Sequence, residues 1–161
     1  MRKRFIALFA AALILSTMAS SANVGAVDIL NSHNQDLVVK YSASPFASAY
    51  LDDYSISFGA RGNCRMVVTM DVNAVRTVDK LGCLMLIIEH KVDGTWYEYD
   101  TLYGIEEPGF YMYNTASYLG TYSFYGEPGV QYRATMIAYA QDSTGYDTGE
   151  DLTSHVVTCS E

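Results

Sequence analysis

Residues 127–140 read EPGVQYRATMIAYA, and the alternation in this stretch decides the fold class. Pro128 and Gly129 turn the chain. From there Tyr132, Ala134, Met136 and Ala138 form one row, and Arg133, Thr135, Ile137 and Tyr139 form the other. Successive side chains of a β-strand point to opposite faces, so the two rows belong to opposite sides of a sheet. The same period recurs upstream. Cys64, Met66, Val68, Met70 and Val72 alternate with Arg65, Val67, Thr69 and Asp71, which assigns the first row to the core. Short stretches rich in Val, Ile, Tyr and Thr lie between the turn signals ARGN, DGT, EEPG, GEPG and DSTG, and long helical periodicity is missing.

The expected strands are Leu37–Tyr41, Tyr54–Gly59, Cys64–Val72, Leu84–Val92, Trp96–Tyr103, Phe110–Tyr113 with Tyr118–Tyr125, Val130–Ala140 and Leu152–Cys159. About seven short strands over this length predict an all-β antiparallel sandwich, immunoglobulin-like or fibronectin type III-like. The Pro128-Gly129 turn followed by Tyr132 resembles the tyrosine corner of those sandwiches, in which the tyrosine hydroxyl ties back to the turn; Gly126 stands where the usual pattern has leucine. A second resemblance spans about Arg61 to Thr158. KLGCLMLIIEHKVDGTWYEY followed by GVQYRA is similar to a group of small secreted domains of uncharacterised function from Gram-positive gut-type bacteria. That resemblance implies a fold and a compartment, and it brings no catalytic residues.

Residues 1–26 have the order of a secretory signal: basic Arg2, Lys3 and Arg4, an apolar run from Phe5 to Leu15, then small residues up to Val24-Gly25-Ala26. The apolar run is shorter than the roughly 20 residues a membrane helix needs, so export without membrane insertion is expected. The expected plan is a signal over 1–26, a lead-in with a possible edge strand over 27–52, and one sandwich domain over 53–161. Loss of the signal leaves 7 basic residues against 18 acidic ones. Such a surface repels nucleic-acid phosphates, which excludes nucleic acid as a partner.

The three cysteines cannot all pair within one chain. In an immunoglobulin-like order Cys64 and Cys83 begin antiparallel neighbours and fall at opposite ends, roughly 25 Å apart at ~3.3 Å per residue. A disulfide needs Cα atoms within about 7 Å. The last strand returns towards the level of Cys64, which makes Cys64 and Cys159 the candidate pair and leaves Cys83 buried and free.

Enzyme signatures are missing. His33, His90 and His155 form no helical pair and stand in no Cys-x-x-Cys setting, so neither a metal nor another cofactor is expected. The serines have no Gly-x-Ser-x-Gly context. The carboxylates of Asp142, Asp147, Glu150 and Asp151 lack the spacing of a calcium loop and read as a solvated hairpin. A non-catalytic protein is expected, with a self-associating structural protein and an extracellular hydrolase as alternatives.

Candidate binding residues come from the strand LMLII. Leu84, Leu86 and Ile88 on one face are answered by Met85 and Ile87 on the other. With Ile137 and Tyr139 from the neighbouring strand, and with Trp96, these make an apolar patch outside the sandwich, suited to a protein or a carbohydrate. The stretch PGFYMYNTASYLGTYSFYG, residues 108–126, holds five tyrosines. Tyr118, Tyr122 and Phe124 share a row with Gly120 and read as core, as do Phe110 and Met112. Tyr111 and Tyr113 read as an exposed pair and join the candidate binding set.

Overall fold

The computed structural model describes residues 28–30, 38–43 and 48–160. The expected export segment and His33 lie outside them. Among the described residues ten strands occur in chain order: β1 (Asp28–Leu30), β2 (Val38–Ala43), β3 (Leu51–Arg61), β4 (Arg65–Val92), β5 (Thr95–Tyr103), β6 (Tyr111–Tyr125), β7 (Gln131–Asp142), β8 (Gly145–Thr148), β9 (Leu152–Thr153) and β10 (Val157–Thr158). All pairings are antiparallel and join one sheet.

The 28-residue β4 organises the molecule. Its first part runs between β3, with Val68 opposite Phe58, and the second part of β6, with Val68 also opposite Tyr122. Its second part runs between β7, with Leu86 opposite Met136, and β5, with Leu86 opposite Leu102. Between these parts the pairing with β6 jumps from Asn73–Ser117 to Val78–Thr115. Five residue steps on β4 therefore match two on β6, and surplus residues on one strand bend it and increase its twist. The sheet curls at this point, and its two inner rows meet.

That continuity corrects two expectations. Residues 73–83, read as a connection, are strand, with Val78 and Leu81 buried. Likewise 111–125 is one strand instead of two pieces. The reason lies in β6, which pairs with both parts of β4 and keeps their backbone groups bonded through the bend. Cys64 and Cys83 consequently lie along the same run of chain, not at the starts of antiparallel neighbours.

The core rows follow the alternation. Met66, Val68, Met70 and Val72 face Tyr54, Ile56 and Phe58 on one side, and Leu86, Ile88, Tyr132, Ala134, Met136 and Ala138 close the other; all are essentially inaccessible. Phe124 bridges the two, with ring centroids 5.5 Å from Tyr132 and 6.3 Å from Phe58. The inner row of β4's second part contains Cys83, not Leu84, because the register against β7 slips between Cys83 and Met85. Met112 is 47 % exposed in spite of sharing parity with the buried Phe110, although its register partner Leu81 is buried.

Local chemistry fixes the turns. Asp93 and Gly94 both have positive φ (49° and 85°) between the paired Val92 and Thr95, the two-residue hairpin for which Asp-Gly is suited. Tyr132 accepts the Glu127 N–H on its hydroxyl at 3.0 Å, holding the Pro-Gly turn against the strand that follows it. Tyr54 does the same work elsewhere: its hydroxyl accepts the Glu150 N–H at 2.8 Å.

The C-terminal segment departs from the single strand expected over 152–159. Only β9 and β10 pair with β7, because Ser154 intervenes: its hydroxyl accepts the Ala134 N–H while its own N–H bonds the Ala134 carbonyl. Beyond it Cys159 is joined to Cys64 by a disulfide, with Cα atoms 5.0 Å apart. β8, in the region read as a solvated loop, forms a hairpin with β7.

Candidate functional site

The outward face of β5, the second part of β4 and β7 gathers the residues singled out from sequence. Met85 sits directly opposite Ile137, with Ile87 one outward position along β4, opposite Thr135. All three are half-buried, and Thr135 beside Ile87 is buried where its hydroxyl meets that of Thr153 on β9. Tyr139 lies one outward position beyond Ile137, and Trp96 occupies the far end of the face, opposite Lys91.

Two aromatic and cationic clusters flank this aliphatic centre. At one end Gly82 is opposite both Tyr111 and Tyr139. Having no side chain, it lets the two rings meet over β4, edge to face, with centroids 5.7 Å apart. A Cβ at Gly82 would run into the Phe110 carbonyl. Tyr146 stacks on the other side of Tyr139 at 5.9 Å. The Lys80 ammonium lies 3.7 Å from the Tyr111 ring centroid and 5.5 Å from that of Tyr139, within range of a cation–π attraction.

At the other end the Arg133 guanidinium lies 4.5 Å over Trp96 and Lys91 Nζ lies 5.5 Å from the same ring. Arg133 also donates to both carboxylate oxygens of Glu89, at 2.6 and 2.8 Å. This paired hydrogen bonding raises the Arg133 pKa and fixes the plane of its guanidinium against the indole. Desolvation pushes the Tyr111 hydroxyl up to about 12, with Cys83 and Tyr139 nearby adding to it. Tyr111 thus presents a neutral donor and acceptor.

Of the tyrosine pair expected to be exposed, Tyr113 is 66 % exposed, but Tyr111 is half-buried because it leans over Gly82 onto Tyr139. Sequence reasoning did not select Lys80, Arg133, Lys91, Tyr146 or Glu89. Arg133 was visible in the outer row of the opening stretch. Lys80 fell in the region taken for a connection, so its face was not assigned.

Elsewhere the groups are structural. Cys83 is buried, its thiol donates to the Met85 carbonyl at 3.2 Å, and desolvation pushes its pKa up to about 12, which suppresses the thiolate. Asp142 binds the Thr144 hydroxyl and Arg76, and Asp147 accepts from Ser48 and from the Tyr50 N–H, which secures the chain entering β3. No three His, Cys, Asp or Glu side chains are grouped to hold a metal ion among the described residues, nor is any helix there long and apolar enough to cross a membrane. The chain matches no protein-family model, no curated protein and no solved structure. Its class is accordingly stated from its own geometry: an all-β protein built on one curled antiparallel sheet.

Proposed function

We propose that this chain is a secreted, non-catalytic binding domain with an immunoglobulin-like or fibronectin type III-like sandwich, and that it docks a protein partner on the outer face of β5, β4 and β7. The sandwich reading is supported by the strand neighbours. With β4 counted as two strands, β3, the first part of β4 and β6 are adjacent, and so are β5, the second part of β4, β7 and the C-terminal strands. The Tyr132 tie to the turn before it is the corner such sandwiches use. Export is supported by residues 1–26 and by the disulfide, a bond that persists in oxidising compartments.

The observation that carries the binding reading is the half-buried Met85–Ile137 pair at the centre of a face whose ends hold Trp96 with Arg133 and Tyr111 with Tyr139. Protein interfaces are enriched in Met, Arg and aromatic residues around an apolar centre, and a handful of such residues dominate the affinity. An aliphatic centre favours a protein over a carbohydrate, which is held by aromatic stacking and by hydrogen bonds to its hydroxyls.

The test is capture from the extracellular medium by the immobilised chain from Val27 onward, compared with the Ile137→Arg variant. Loss of a specific captured protein in that variant, with the far-ultraviolet circular dichroism retained, supports the reading. Capture that Ile137→Arg leaves intact refutes it. Trp96, the sole tryptophan, lies on this face and reports occupancy by fluorescence.

A further inference from the structure

We infer, resting on that reading, that the partner segment taken by this face is acidic: an apolar stretch of polypeptide flanked by Asp or Glu. The chain as a whole is strongly anionic, with 18 carboxylates against 10 basic side chains and a formal net charge of −8. The face reverses this balance. Lys80, Lys91 and Arg133 lie on it, against Glu89 and Glu98.

Arg133 is neutralised by Glu89, but neither lysine enters an ion pair with another described residue, whereas Lys40 and Arg76 are paired with Asp71 and Asp142 on other parts of the surface. Lys80 and Lys91 are instead held over the rings of Tyr111 and Trp96. A ring face attracts the ammonium without cancelling its charge, so each lysine retains N–H donors for an incoming carboxylate. Lys80 and Lys91 are eleven residues apart on β4, which at ~3.3 Å per residue places them on the order of 35 Å apart along the strand, a little less where the register slips. An extended segment of about ten residues spans that distance. It brings its apolar residues over Met85 and Ile137 and its carboxylates to both ends. Electrostatic complementarity of this kind selects partners and speeds encounter, since the acidic remainder of the surface repels the same segment.

The test is selection of a random twelve-residue peptide display library on the chain from Val27 onward in 50 mM salt, as chosen for the assay, followed by affinity measurements on synthetic versions of the enriched peptides. The expected result is enrichment of peptides with Asp or Glu flanking apolar residues. Their affinity should fall about tenfold in the Lys80→Gln, Lys91→Gln double variant and comparably in high salt. Lys40→Gln, remote on β2, should leave it unchanged. Glutamine removes the charge while keeping a polar side chain with N–H donors, one atom shorter than lysine, and an unaltered thermal midpoint shows that the fold survives.

Enriched peptides that lack an acidic bias and bind the double variant as well as the parent, yet are lost in Ile137→Arg, overturn the acidic partner while leaving the binding face in place. Acidic peptides indifferent to all these substitutions overturn both. Failure to enrich any peptide overturns the inference, as does tighter binding to polygalacturonate, an acidic polysaccharide, than to the peptides.

Discussion

Replacing Cys64 and Cys159 together by alanine tests how the curled sheet is closed. The bridge joins residues 95 apart in sequence, so the loop it closes when the chain is unfolded takes in all the described residues from β4 to β10. In the chain-entropy view a loop of about 100 residues contributes up to ~4.7 kcal/mol. Both side chains are also buried, at 5 % and 2 % exposure, and their truncation leaves a small void that adds about 1 kcal/mol at most. The native geometry survives on backbone bonds that the substitution leaves alone: Cys64 N–H to Ser160 O at 3.1 Å, Gly126 N–H to Cys64 O at 2.9 Å and Cys159 N–H to Val130 O at 2.9 Å. The expected result is a folded variant less stable by about 3–5 kcal/mol, with a melting point lower by about 10–20 °C. Urea titration followed by Trp96 fluorescence measures it. The denaturant slope should also rise, because the uncrosslinked unfolded chain exposes more surface. Reduction of the parent protein should reproduce the loss. A difference under ~1 kcal/mol between the oxidised parent and the double variant refutes the argument that this bridge restrains the unfolded chain.

Three further outcomes follow from particular contacts. Tyr132→Phe removes the acceptor of the Glu127 N–H while keeping the buried ring, and chemical denaturation should show a loss of about 1–1.5 kcal/mol. Gly120→Ala places a methyl group against the ring of the buried Tyr118, whose hydroxyl is anchored to the Gly109 carbonyl at 3.1 Å; overpacking of about 1–3 kcal/mol is expected in the same assay. His155 stacks near Tyr41, its Nδ1 is buried, and burial lowers its pKa below the ordinary 6.5. The unfolded chain therefore binds the proton first. Stability from this group is complete above about pH 6.5, falls as the pH drops below it, and levels off once the folded form is also protonated. Asp142, held low by the Thr144 hydroxyl and Arg76, acts in a separate window below its ordinary 3.8. Stability measured from pH 7.5 to 5 should lose that slope in His155→Phe; an unchanged slope refutes the assignment.

The alternation in residues 64–72 and 132–140 was enough to read the strands and the side each one buries, because a period of two is a local property that survives any arrangement of partners. The same logic placed Tyr118 and Phe124 inside and Thr121 and Ser123 outside. It failed where pairing, not pattern, decides. Residues 73–83 carry polar side chains and look like a connection, but β6 pairs with both parts of β4 and makes a single strand of them. Residues 152–159 look like a strand, yet Ser154 interrupts it through bonds to Ala134, whose partner no local pattern reveals. The face shows the same division. Met85, Ile87, Ile137 and Tyr139 were legible as outward apolar residues from their own strands. Only the pairing of β5, β6 and β7 with β4 brought Tyr111 to Tyr139 across Gly82, laid Lys80 over Tyr111 and set Arg133 against Trp96, since each of these contacts joins residues of different strands. Sequence determined which way side chains point within the regularly alternating stretches; long-range backbone pairing decided where that alternation slips and which side chains meet.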